Sequence, residues 1–210
     1  MREVDHLLAI VDQAYDRRSW HGTNLRGSIR RVSADEAAWR PAPSRHNIWE
    51  LVVHAAYWKY AARRRLTGEA RGSFPIKGSN WFERPASTVR LPPPRFALRR
   101  VSPKRSEGGK PDTTYSTVRR AADAVRLKAD TTYVSATNAW RADVELLDQM
   151  HRALRDSVAR QSPRLLRRKI AGSKDTSFSL ISGVAAHDLY HAGQIQLLKA
   201  LLHRSSVRRR

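Results

Sequence analysis

Apolar residues recur at Val4, Leu7, Leu8, Val11, Ala14 and Tyr15, the i, i+3, i+4 spacing of a helix with one buried face. Trp20-His21-Gly22 interrupts it, and a second helical piece resumes at Leu25, Ile29 and Val32. Pro41-Ala42-Pro43 then forbids further helix by removing backbone donors and restricting the preceding residues. Asn47-Ile48-Trp49-Glu50 sets an N-cap residue three positions before an acid, the pattern of a capping box. The helix it opens is expected to reach about Thr67-Gly68, where glycine supplies the stop. Trp140, Val144, Leu147, His151, Leu154 and Val158 lay out a third face, expected to start from an N-cap at Asn138 and to end near Ser162-Pro163. A fourth helix from about Ser177 carries Val184, His191, Ile195, Leu198 and Leu202 on one stripe. Four amphipathic helices with one long crossover predict an all-α four-helix bundle.

From about Arg71 to Thr137 the periodicity dissolves into Gly, Pro and basic residues, including Leu91-Pro92-Pro93-Pro94 and Ser106-Glu107-Gly108-Gly109. Such a composition is not expected to pack as core. Lys110-Pro111-Asp112-Thr113-Thr114-Tyr115 recurs as Lys128-Ala129-Asp130-Thr131-Thr132-Tyr133, at a period of 18 residues. Two copies are too few for a solenoid. They fit an insertion into the crossover instead, so the chain reads as a single domain over residues 1–210 with 84–134 as a low-complexity, largely disordered basic insertion between the second and third long helices.

The 210 residues contain no cysteine, which excludes disulfides, thiolate metal ligands and a protein thiol nucleophile. Glu3, Asp5, Asp12 and Asp16 in the first twenty residues match neither a secretory signal nor a transit peptide. No apolar run approaches the roughly 20 residues that span a bilayer. The expected location is therefore the cytoplasm, with no membrane partner. The formal charge of +21 is the strongest signal for a nucleic-acid partner. Residues 84–134 contribute twelve Lys or Arg against four acids, +8 in all, and Arg208, Arg209 and Arg210 close the chain. No recognised binding motif accompanies this charge, so the expectation is incidental, salt-sensitive nucleic-acid binding through the basic insertion.

His187 and His191 stand four residues apart, which on a helix puts both on one face with Cβ atoms roughly 6 Å apart, close enough to chelate one ion. His54, between Leu51 and Trp58 on the inner face of the second long helix, is available as a third imidazole. Three neutral nitrogens would leave a coordination position for water or substrate. The competing reading is that an H-x-x-x-H spacing arises by chance and a core histidine simply finds a hydrogen bond. Gln194, three positions after His191, is a candidate to orient a ligand, and Glu50, one turn before His54, to accept from its ring N–H unless the helix cap uses it. His21 is either a pocket residue or a turn residue, while His6, His46, His151 and His203 suggest no role.

Ile48-Trp49-Glu50-Leu51-Val52-Val53-His54 followed by Trp58, together with Gly183-Val184-Ala185-Ala186-His187-Asp188-Leu189-Tyr190-His191-Ala192-Gly193-Gln194-Ile195, resembles the two signature helices of the DinB-like (DinB/YfiT) superfamily of metal-dependent enzymes. The resemblance covers about residues 1–82 and 136–203, and the basic stretch between them has no counterpart in the family pattern. It implies an up-down-down-up bundle whose metal-binding histidines fall on His54, His187 and His191. It also implies one of several activities: a transferase acting with a low-molecular-weight thiol such as bacillithiol, mycothiol or glutathione, or a hydrolase. With no cysteine in the chain, the thiol would be a cosubstrate. Imidazole suits zinc, nickel, iron and copper alike, so the cofactor is expected to be a divalent ion of that group. A homodimer is a further expectation, because bundles with an exposed apolar edge often pair. The rival function classes are a nucleic-acid-associated basic protein and a non-catalytic bundle.

Overall fold

The computed structural model describes residues 2–84 and 129–207, with side chains described as far as residue 84 and from 136 to 204. Seven helices form among the described residues: α1 (Glu3–Tyr15), α2 (Leu25–Ser28), α3 (Ala34–Ala38), α4 (Ile48–Thr67), α5 (Ala129–Ala159), α6 (Pro163–Leu166) and α7 (Ser177–Val207). They contain no strand, only an isolated antiparallel bridge between Lys169 and Thr176. None of these helices is long and apolar enough to cross a membrane.

Local chemistry sets most of the boundaries. The Asn47 side chain accepts from the Glu50 amide at 2.8 Å while the Glu50 carboxylate accepts from the Asn47 amide, which closes the capping box that opens α4. Gly68 ends the helix in the left-handed conformation, φ 77°. Ser33 and Glu36 cap α3 in the same reciprocal way. Thr176 caps α7 by accepting from the Ser179 amide at 3.1 Å.

The core has two halves along the helix axes. Trp49, Val52, Val53 and Ala56 of α4 pack with Trp140 and Leu147 of α5 and with Ile195 and Leu198 of α7. Further along, Ala62 of α4 packs with Leu154 and Val158 of α5, Ile181 and Val184 of α7, and Leu7 and Val11 of α1. Trp49, fully buried, donates its indole N–H to Asp143 at 2.6 Å and meets the Trp140 ring edge-on at 5.4 Å, locking α4 to α5. Arg155 pairs with Asp12 at 2.8 Å, and Lys199 donates to the Ser28 carbonyl at 3.0 Å, tying α5 to α1 and α7 to α2.

Two expectations fail here. The third long helix does not start at Asn138 but at Ala129, because from Ala129 to Ala159 the chain holds neither Gly nor Pro to stop it. The segment after α4 also packs, contrary to its Gly/Pro-rich composition. Phe82 is buried in the core, Phe74 and Ile76 pack against it, and the rings of Tyr57, Phe74 and Phe82 meet at 5.4–5.5 Å. Gly78, at φ 125°, lets the backbone turn under the Phe82 ring. The low-complexity insertion read over 84–134 lies, for residues 85–128, outside the described residues.

Candidate metal centre

Helix α4 presents His54 to α7, and α7 presents His187 and His191 back, one helical turn apart. The Nε2 atom of His187 lies 3.1 Å from Nε2 of His54 and 3.0 Å from Nε2 of His191. One ligand atom from each residue falls within 4.8 Å of the others, and this is the three-residue metal-ligand cluster found among the described residues. His54 and His191 are buried and His187 is half-buried.

The outward nitrogens decide what the inward ones can do. His54 Nδ1 lies 2.8 Å from the Asn80 carbonyl, which can only accept, so Nδ1 carries the proton and Nε2 keeps its lone pair. His191 Nδ1 lies 2.7 Å from Gln194 Oε1, whose amide nitrogen donates to the Tyr190 hydroxyl at 3.0 Å, and the same tautomer follows. Two Nε2 lone pairs therefore point at a third imidazole nitrogen, and a single proton on His187 can satisfy only one of them. A cation satisfies all three. Ligand bonds of about 2.0–2.1 Å in tetrahedral geometry place imidazole nitrogens about 3.3 Å apart, close to the spacing here. The donor set thus fits a divalent ion.

Electrostatics favours neutral ligands. Burial, then the neighbouring His191, His54 and Lys59, pulls His187 down to about 3, and burial pulls His191 down to about 4. His54 is also lowered, first by burial. All three imidazoles are uncharged at neutral pH, the form that coordinates metal.

The remaining site candidates fall into different surroundings. Gln194 orients His191. Glu50 is taken up at the start of α4, where its carboxylate pairs with Arg40, lies 3.0 Å from His46 Nδ1 and closes the cap, while the His54 ring turns to Asn80. Arg40 holds the Glu50 carboxyl below its ordinary value against the opposing effect of burial. His21 is exposed at the turn after α1, outside the cluster.

Residues after α4, unremarked in the sequence, build the cover. Asn80, held at φ 63°, accepts from His54 through its carbonyl and from the Trp58 indole through Oδ1 at 3.0 Å. Trp81 stacks on His54 at 3.9 Å and on His46 at 3.6 Å, so one indole is sandwiched between two imidazoles. The aromatic run Phe74…Trp81-Phe82 in a polar stretch was the available signal; nothing local marks Asn80. Lys59, five residues after His54, is fully buried and donates to Asp188, beside His187.

Among the described residues, which are helical, two facing helices carry three convergent neutral histidines that could together hold one divalent ion. The chain matches the DinB superfamily over residues 17–195 and belongs to that family. Neither curated proteins nor solved structures gave a match.

Proposed function

We propose that the protein is a metal-dependent enzyme of this superfamily, holding one zinc, nickel or iron ion on His54, His187 and His191 and acting as a small-thiol S-transferase or a hydrolase. The observation that carries the reading is the convergence of three Nε2 atoms whose tautomers are set from outside by Asn80 and Gln194. An ion on three neutral nitrogens keeps its full charge and supplies Lewis acidity, enough to hold a thiol as thiolate or to draw a bound water toward a pKa of about 7. The chain's own part is to keep the imidazoles deprotonated by burial, to aim them through Asn80 and Gln194, and to limit water access with Trp81. The absence of cysteine favours an external thiol.

The order of contacts supports an up-down-down-up bundle. Trp49 and then Ala62 of α4 pack with Asp143 and then Leu154 of α5, in the same order, and with Ile195 and then Ile181 of α7, in reverse order, while Asp12 and Tyr15 near the end of α1 meet Arg155 and Asp148 of α5 in reverse order. A cytoplasmic setting, where low-molecular-weight thiols are reduced, suits the transferase reading.

Metal content of protein purified without an affinity tag tests the site. His54→Ala and His187→Ala should each remove most of the ion while far-ultraviolet helicity stays near that of the parent; unchanged stoichiometry in both would refute the ligand set. Gln194→Leu leaves the three ligands in place but removes the acceptor that orients His191. It should weaken metal binding about 10- to 100-fold, read by competition with a chelator. A screen of thiol-dependent transfer and of hydrolysis on the loaded protein then separates the two activities.

A further inference from the structure

We propose that the bowl between the end of α1 and α2 is a second ligand site, for a small phosphate-bearing anion of the nucleotide class. It encloses about 850 Å³ and shares no residue with the histidine cluster. Arg17, Arg18, Arg26 and Arg30 line it with one acid, Asp16, while Asp148 outside the lining pairs with Arg26, a local balance of four positive charges to two negative.

The wall is built, not merely charged. Arg26 donates from Nε to both oxygens of Asp148, at 3.0 and 3.3 Å, which holds one guanidinium at the rim. The buried Asn24 side chain donates to the Arg17 carbonyl and accepts from the Gly27 amide, each at 2.8 Å, bracing the turn that carries the arginines. A Cβ at Gly27 would lie 2.8 Å from Asn24 Oδ1, so a side chain there would displace the brace. Arg17 makes only a loose 3.8 Å contact with Asp16. Arg18 and Arg30 have no ion-pair partner among the described residues, and both are exposed.

Guanidinium forks match phosphate oxygens in pairs, and a concave positive surface concentrates small anions. The volume falls within the roughly 300–1,000 Å³ of small-molecule sites, whereas binding along a nucleic-acid strand uses an extended groove. Trp20, next in sequence to the lining residue Ser19 though not itself in the lining, is fully exposed, and its indole is assigned to stack on a base attached to the phosphate. That pairing of free guanidinium forks with an unpacked indole selects a nucleoside phosphate over inorganic phosphate.

Calorimetric titration of the full chain with ADP and with inorganic pyrophosphate tests the site. One saturable ADP site per chain is expected. Arg18→Ala/Arg30→Ala should weaken both ligands by about tenfold or more at unchanged helicity. Trp20→Ala should weaken ADP but leave pyrophosphate unaffected. Arg164→Ala/Arg168→Ala/Lys169→Ala, which neutralises exposed charge outside the bowl's lining, should leave both affinities unchanged. No saturable ADP binding, equal ADP affinity in parent and Arg18→Ala/Arg30→Ala, or binding restricted to a single-stranded oligonucleotide would each overturn the proposal.

Discussion

Asp188→Ala should be among the most destabilising single substitutions in the protein, costing about 3–5 kcal/mol and roughly 10 °C of melting temperature. Asp188 and Lys59 have side-chain exposures of 1% and 0%, and the ammonium donates directly to the carboxylate across the α4–α7 interface. Burial pushes the Asp188 carboxyl up and Lys59 pulls it down, so the charged pair stands only while both partners are present. Truncating Asp188 leaves a fully buried ammonium without its counter-charge, over the Tyr15 ring at 4.7 Å. The double variant Lys59→Met/Asp188→Leu removes both charges together and should recover most of the loss, because an ion pair in low dielectric gains little over apolar packing of similar volume. Urea unfolding of the three proteins checks this. An Asp188→Ala loss below about 1 kcal/mol, or a double variant as weak as the single, would show that water reaches the pair. The position matters for the metal as well: Asp188 adjoins His187, and Lys59 lies one turn beyond His54, so the pair holds in register the two helices whose histidines converge.

What could be read in the chain and what could not divides along physical lines. Helix α4 was legible at both ends because its boundaries are local chemistry, an Asn47–Glu50 cap and a left-handed Gly68. That His187 and His191 share a face followed from their one-turn spacing, while His54 was only available as a third imidazole, its place beside them being what the family resemblance implied. Asn138 misled because a good capping residue can also sit inside a helix, and no Gly or Pro lies between Ala129 and Asn138 to stop it. Residues 71–84 misled because composition averages over a stretch, while packing depends on a few anchors, Phe74, Ile76 and Phe82. Lys59 drew no reading from the sequence, for its partner stands 129 residues away. The use of Glu50 depended on Arg40, which returns across Pro41 and Pro43 to reach it. His151 lies on the predicted inner face with Arg152 and Arg155 close by in sequence, but nothing in the chain announces that Lys59 of α4 also faces it.

Those cations make His151 the best probe of acid sensitivity. His151 is buried, stacks on Tyr15 at 3.7 Å and has no partner for Nδ1. Burial first, then Lys59 of α4 and Arg155 and Arg152 of α5, pulls it down to about 2. Asp12 of α1 approaches Nε2 only to 4.0 Å, and its carboxylate is engaged by Arg155. Tyr15 cannot offset the charge, because burial and the Asp148 carboxylate it donates to push its hydroxyl well above the ordinary phenol range. The unfolded chain therefore takes up a proton near pH 6.5 that the folded chain refuses. Stability from the neutral ring is complete above that pH and falls as the solution is acidified toward the folded value, by about 1.4 kcal/mol per pH unit. Between pH 7 and pH 5 the contribution of His151 alone amounts to about 2 kcal/mol. His151→Phe keeps an aromatic ring on Tyr15 and removes the titration, so it should unfold at nearly the parent urea midpoint at pH 7 and at a clearly higher one at pH 5. The measurement is made on metal-free protein, so that loss of the ion from the three-histidine site does not add its own pH dependence. Parallel stability profiles for parent and variant would mean that His151 is hydrated and titrates as freely in the folded chain as in the unfolded one.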